Sequence, residues 1–376
     1  MPFMDFDAWV SAGCPDDAGP RGETAEGGFF IASRLEGKPV PARKWLVEGL
    51  IPSGTVTLLG GDGGTGKSLL ALQLAIASAL GNGWLGHAVT AGHAVYLSAE
   101  DDEDELHRRA YDVAHAAGAT LGDLDKLTLR SLAGMDALLA RQLTPTGPLQ
   151  ATRLFNQVND YMTEVKPSVI VLDTLADLFP GNENDRAQAR QFVGLLRGLA
   201  MRHECAVMLL AHPSLSGLNS GSGTSGSTGW NNSVRSRLYF ERIAQDGYEA
   251  NPDARVLRTM KANYGRTGGE ISMTWQQGVF VADAPETGLD RMAGNAKAER
   301  VFLSLLRLHT EQGRRVNDKS STSYAPKVFA EHPKSEGITK RAFKSAMEML
   351  MTDGKIKVGQ EGPASRRVNF IDEVTP

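Results

Sequence analysis

Eight consecutive residues, Gly61-Asp62-Gly63-Gly64-Thr65-Gly66-Lys67-Ser68, stand between an apolar run and a helical pattern. Their types and spacing suit the holding of a polyphosphate. Glycines let the backbone curl so that successive N–H groups point inward at phosphate oxygens, and the start of the following helix adds its partial positive charge. Lys67 would reach the outer phosphates and the Ser68 hydroxyl would hold Mg²⁺, with the contact surface running from Gly61 to Leu69. The strand-then-helix setting argues against a merely flexible glycine loop and for a nucleoside triphosphate, with ATP the expected ligand.

Cleaving that ligand needs carboxylates. The run "VIVLDTLADLF" ends an apolar strand with Asp173, beside the loop, where it would orient the metal through water; capping a helix is the plainer use. The run "VYLSAEDD" puts Glu100 at another strand end, where the carboxyl ends of parallel strands form a ligand crevice and a carboxylate can act as general base on water. Asp101 and Asp102 compete for that role, although capping the helix from Glu103 suits them better. Thr174 follows Asp173, so the base must come from elsewhere than the next residue.

Further along, "LLAHPS" offers His212 at a strand end, either as a structural histidine or as a sensor that reports hydrolysis to the loop after it. Arg235 and Arg237 in "WNNSVRSRLYFER", and Lys261 and Arg266 in "MKANYGRTGG", supply cations. An arginine inserted into a neighbour's site neutralises transition-state charge and contributes roughly 10³ to 10⁵ in rate. Arg235 is the first candidate and Lys261 the second; surface salt bridging is the alternative.

The elements that must position these groups are short apolar runs alternating with amphipathic helices from Trp45 onward: "TVTLLG", "AVYLSAE", "LTLRSL", "VIVLD" and "AVMLLAH". Strands apolar throughout and separated by helices predict an α/β fold with a mostly parallel sheet covered on both faces. A Gly/Ser/Asn-rich stretch of about twenty residues follows His212, long enough to expect function or mobility. Three strand-like runs, "SRLYFERI", "ARVLRTMKAN" and "GEISMTWQQGVFVAD", are expected to extend the sheet as antiparallel strands.

The chain has 376 residues, 41% hydrophobic and 22% charged, ordinary values for a globular protein of two domains. We expect a loosely ordered arm over 1–40, a catalytic domain over 41–284, a linker from Ala284 to Asn295, and a small domain over 296–376. In the last, Thr339 caps a helix with apolar positions Ala342, Phe343, Ala346, Met349 and Leu350, Gly354 ends it, and two strands follow. Helix then hairpin, with bases on both, outlines a winged helix; a structural lid is the alternative. The net charge of −4 is uneven, since from Ala296 onward bases exceed acids by about five. Cys14 and Cys205 suggest neither a disulfide framework nor a zinc site, the N-terminus lacks signal-peptide character, and no apolar run suits a membrane span. A cytoplasmic protein is expected.

With these residues assembled, the chain resembles the RecA-like P-loop ATPases of the AAA kind, most of all the plasmid- and phage-type RepA hexameric replicative helicases. "GGDGGTGKS", "YLSAEDD", "VIVLDTLADLF", "LLAHPS", "SVRSR" and "KANYG" occur in the expected order over about 45–283. The resemblance implies Glu100 as catalytic base, His212 as phosphate sensor, Arg235 as the residue reaching the adjacent subunit's nucleotide, and Lys261 near the same boundary. It also implies a hexameric ring, single-stranded DNA through its centre, and replication of a mobile element. Two departures stand out: the added C-terminal domain, and a loop after His212 poor in bases and aromatics, with Trp230 the one ring able to stack on a base. A loader or recombination ATPase, or a DNA-binding regulator with an ATPase switch, are the rival readings.

Overall fold

A computed structural model describes residues 29–144, 147–212, 228–243, 249–284, 288–319, 321–361 and 367–374. Most of the N-terminal arm, Cys14 and the stretch 213–227 lie outside the described residues. The chain forms two compact units, Met1–Ala282 and Asp283–Pro376.

The first unit begins with a short antiparallel pair, β1 (Trp45–Val47) and β2 (Ile51–Pro52), ahead of β3 (Thr55–Gly61), every residue of which is buried. There follow α1 (Lys67–Leu80), β4 (Ala94–Ser98), α2 (Glu103–Ala116) and β5 (Leu127–Ser131). A small ribbon of β6 (Ala140–Gln142) and β7 (Leu149–Ala151) precedes α3 (Arg153–Val165), β8 (Val169–Asp173), the single turn α4 (Leu175–Leu178), α5 (Arg186–Arg202) and β9 (Ala206–Ala211). After α6 (Thr228–Ser233) come β10 (Ser236–Arg242), β11 (Ala254–Ala262), β12 (Glu270–Gln276) and β13 (Val279–Ala282).

Nine strands form one sheet in the order β13-β12-β11-β10-β3-β9-β8-β4-β5. The six from β10 to β5 are parallel, and β11 to β13 add an antiparallel meander at one edge. Alternation along each strand feeds two cores. In β8, Val169 and Val171 face the layer of α1 and α2, while Ile170 and Leu172 face that of α3 and α5. Burial on both faces is why these runs read as continuously apolar.

Two strand expectations change. The run "SRLYFERI" pairs with β3 in parallel and with β11 antiparallel, so it closes the parallel part of the sheet before the meander begins. The last run splits into β12 and β13 at Gln277-Gly278, both with positive φ (48° and 88°), the backbone of a two-residue hairpin turn. Glutamine is an uncommon first residue there, so the turn carried little signal.

The second unit holds α7 (Gly288–Glu311), α8 (Ala325–Ala330), α9 (Lys340–Thr352) and a hairpin of β14 (Ile356–Glu361) and β15 (Val368–Glu373). Phe302, Phe329 and Phe343 meet at its centre. The Thr339 hydroxyl caps α9 by accepting from the Ala342 N–H at 3.2 Å. Met349 is 47% exposed and Met347 fills the core place expected of it. Residues 288–295, expected as linker, are helical; 292–297 are exposed and Ala298 is the first described residue of α7 to be buried, so these turns have no apolar period to read. The small helix α8 falls in what reads as a polar break, its apolar signal resting on Ala325, Pro326 and Phe329.

Candidate active site

Strand β3 delivers the chain to Gly61 and α1 starts at Lys67, so the glycine-rich turn sits at the carboxyl edge of the parallel strands. Gly64 (φ 69°) and Gly66 (φ 94°) adopt the left-handed backbone that side chains resist, and Gly66 caps α1. The Thr65 hydroxyl ties the turn to the Asp62 carbonyl at 2.9 Å. Lys67 is 6% exposed; its ammonium donates to the carbonyls of Gly61 (2.7 Å) and Asp62 (2.9 Å) and lies 3.3 Å from His212 Nδ1. Burial pulls its pKa down, opposed by the charges of Asp173, Glu100 and Asp62.

The next two parallel strands over from β9 supply the carboxylates. Ser98 pairs with Asp173 in the register of β4 and β8, so Glu100 emerges just past the end that carries Asp173. Asp173 is 1% exposed, and burial raises its carboxyl to about 6 against hydrogen bonds from Tyr96 and Ser68 that hold it down. The Tyr96 phenol lies 2.7 Å from Asp173 Oδ2 and 3.1 Å from the Ser68 carbonyl. Glu100 is half exposed, its Oε1 3.7 Å from His212 Nε2. Because Lys67 can only donate, His212 Nδ1 accepts and the proton of the neutral ring sits on Nε2, facing Glu100. The competing acids are occupied: Asp101 pairs with Arg109 at 2.6 Å, and Asp102 caps α2 by accepting from the Glu105 N–H at 2.8 Å.

Lys67, Ser68, Glu100, Asp173 and His212 therefore gather at one place. Arg235 and Lys261 do not join them. The Arg235 N–H donates to the Val56 carbonyl, five residues before Gly61 on the neighbouring strand and so about 16 Å away along the sheet. Lys261 lies across from Arg237, and its ammonium donates to the carbonyls of Asn231 (2.7 Å) and Asn232 (3.4 Å) at the C-terminal end of α6. Arg197 donates to the Ser233 carbonyl there. Burial and the charges of Arg235, Arg237 and Arg197 push the Lys261 pKa down. Arg266 is exposed. The expected stacking role of Trp230 is overturned: the indole is 1% exposed, edge-on to Phe179 at 5.2 Å, with its N–H donating to the Glu183 carbonyl at 2.9 Å.

Other neighbours of the turn come from strands nearly two hundred residues away in sequence. The Tyr239 hydroxyl donates to Asp62 Oδ1 at 2.7 Å, Arg242 Nη2 to the Gly64 carbonyl at 3.2 Å, and Arg255 Nε to the Thr65 carbonyl at 3.1 Å. The Phe280 ring lies where a Cβ on Gly66 would come within 2.6 Å of it. None belongs to a local motif, so no short-range pattern could have pointed to them.

The residues fit a triphosphate with Mg²⁺. The Ser68 hydroxyl hydrogen-bonds the Asp173 carboxylate. These are hard oxygen donors in too small a number to enclose a cation alone, as suits Mg²⁺, which keeps waters and phosphate oxygens. Among the described residues, no group of three or more His, Cys, Asp or Glu is placed to hold a metal ion. No helix among them is long and apolar enough to cross a membrane.

A family model described as an AAA domain matches residues 25–217, just over half of the chain. Among solved structures, the chain is similar to the RadB recombinase at 15% identity and a TM-score of 0.44, over 62% of this chain and 93% of that one. It is similar to a KaiC-like protein from Pyrococcus horikoshii OT3 at the same identity and TM-score, over 64% of this chain and 94% of that one. At that TM-score the likeness carries no functional inference.

Proposed function

Because the chain belongs to the AAA domain family, we propose that it is a Mg²⁺-dependent ATP hydrolase with a RecA-like core that assembles as a ring, of six subunits, and works on DNA as a RepA-type helicase. The observation that carries the hydrolase reading is the convergence of Lys67, His212 and Glu100 beside the buried Asp173–Ser68 pair. Backbone N–H groups of the turn and the Lys67 ammonium hold the β and γ phosphates. Glu100, half exposed and free of the pairing that occupies Asp101, takes a proton from the attacking water. His212 bridges the ammonium to that base, so loss of the γ-phosphate alters its contacts first and the change enters the chain at 213. Mg²⁺, held by Ser68 and through Asp173, would neutralise phosphate charge.

Lys67→Ala should lose ATP binding or turnover, and Glu100→Gln should keep binding while turnover falls by roughly 10²–10⁴. Normal turnover in the glutamine variant would move the base elsewhere. The burial of Trp230 favours a second reading, an ATPase that loads or assembles on DNA without unwinding it, since this ring offers no platform to bases. Strand displacement on forked DNA with ATP separates the two: displacement supports the helicase, and ATP-dependent binding without displacement supports the loader. The second unit, with helices and a hairpin, is proposed as a winged-helix module for DNA or a protein partner; removal of residues 288–376 with DNA binding intact would exclude the DNA role.

A further inference from the structure

Arg255 lies at the start of β11 and is 8% exposed, yet none of its hydrogen bonds among the described residues goes to a carboxylate. Nε donates to the Thr65 carbonyl at 3.1 Å, and Nη1 donates to the carbonyls of Pro252 (2.5 Å) and Ala254 (2.9 Å). Burying a guanidinium is costly, because solvation is lost, and here the charges of Glu249 and Asp253 offset that loss only in part. The nearby Arg242 adds repulsion, and burial with that charge pushes the Arg255 pKa down.

Peptide geometry gives this arrangement a direction. A trans peptide points its C=O and N–H opposite ways. A donor that fixes the Thr65 carbonyl on one side of the turn therefore points the Gly66 N–H to the other, whereas the Thr65 N–H donates within the turn to the Asp62 carbonyl at 3.4 Å. Hydrogen bonding at a carbonyl also polarises the N–H of the same peptide. Negative charge on that other side would then add to the partial compensation that Glu249 and Asp253 give Arg255.

We propose that Arg255 is a positioning residue of the phosphate turn, setting and polarising the Gly66 amide from behind so that a polyphosphate anion completes its electrostatic balance. This deepens the ATPase reading and rests on it. Arg242, 44% exposed in its side chain and 3.4 Å from Glu249, has water and a carboxylate to share its charge, so its part is smaller.

Titration of the full chain with a fluorescent ATP analogue, and with the matching ADP and AMP analogues, tests this together with thermal melting. A charged hydrogen bond of this kind corresponds to roughly tenfold to a hundredfold in affinity. Arg255→Gln should weaken ATP by that much, ADP by less and AMP least. Arg255→Lys keeps the charge and one donor and should recover most of the loss. A purely structural staple would instead lower the melting temperature and leave affinity in the folded protein unchanged, and that result overturns the proposal. Should Arg255→Gln not fold, Arg255→Lys decides: ATP binding weakened severalfold at an unchanged melting temperature supports the role, and unchanged binding refutes it. Lys67→Ala is run alongside. If it abolishes binding or turnover while the Arg255 variants bind normally, this inference alone fails; if Lys67→Ala both binds and turns over ATP as the parent chain does, the ATPase reading fails too.

Discussion

The two ends of the parallel sheet are both charged and differ in kind. At the carboxyl end the Lys67 ammonium sits among Asp173, Glu100 and Asp62, and each sign tempers the other. At the opposite end Arg197, Arg235, Arg237 and Lys261 crowd together, and each of the other three lowers the proton affinity of Lys261. Mixed charge around a glycine turn is what a site needs to bind a phosphate and also activate water. A cluster of one sign is what remains when cations cap a helix end, as Lys261 and Arg197 do at α6, or await an anion from another molecule. Arg235, about 16 Å from its own phosphate turn, can meet a nucleotide only on a second subunit.

Breaking the opposite end should have the largest effect if that cross-subunit reading holds. Arg235→Ala should cut turnover by about 10³-fold or more and leave nucleotide affinity nearly unchanged. Mixing it with Lys67→Ala chains should restore part of the rate, because some interfaces then pair an intact turn with an intact arginine. No restoration at any mixing ratio would return Arg235 to a structural role.

The carboxyl end should show function held against stability. The Asp173 carboxyl is raised to about 6 by burial, from an unfolded value of about 3.9. Between those values the native state keeps a proton that the unfolded chain has released, so stability falls as pH rises through that window and stays reduced above it. Asp173→Asn should remove that slope and raise stability at pH 7–8 by about 3 kcal/mol at most, while abolishing Mg²⁺-dependent turnover. Melting curves from pH 4 to 8 check this; an Asn variant less stable than the parent at pH 8 would contradict it.

The smallest effect is expected at Lys261. Lys261→Met keeps the aliphatic stem and loses the cap on α6, costing about 0.5–1 kcal/mol by thermal or chemical denaturation. A rate loss far beyond that cost would move Lys261 from capping to catalysis on a neighbouring subunit.

What could be read from the sequence follows the same division. The strands β3, β4, β8 and β9 announced themselves because burial on both faces leaves them mostly apolar, and Lys67, Ser68, Asp173, Glu100 and His212 stand at their carboxyl ends. Position at a strand end is local information. Tyr239, Arg242, Arg255 and Phe280 reach the turn only because β10 lies parallel to β3 and the meander folds beside it, a pairing no short window contains. Trp230 misled for a related reason: its composition-poor surroundings suggested an exposed ring, whereas Phe179 and Phe192, some forty to fifty residues earlier, bury it. Residues 292–297 of α7 are exposed and show no apolar period, so this part of the helix passed for a linker.

Gly61 limits how this loop can change. A Cβ there would stand 2.2 Å from the carbonyl oxygen of Phe240, which is main chain and belongs to the strand hydrogen-bonded beside it. Trimming a neighbouring side chain makes no room, so a Gly61→Ala variant should have no second-site suppressor among side-chain replacements; relief would require prising β10 from β3 at the middle of the sheet. Gly66 meets a ring, which a smaller residue at 280 could withdraw, but its φ of 94° strains any side chain placed there. Of the two glycines, one is barred by the main chain of a neighbouring strand and the other by its own backbone conformation, and neither leaves a lineage room to drift.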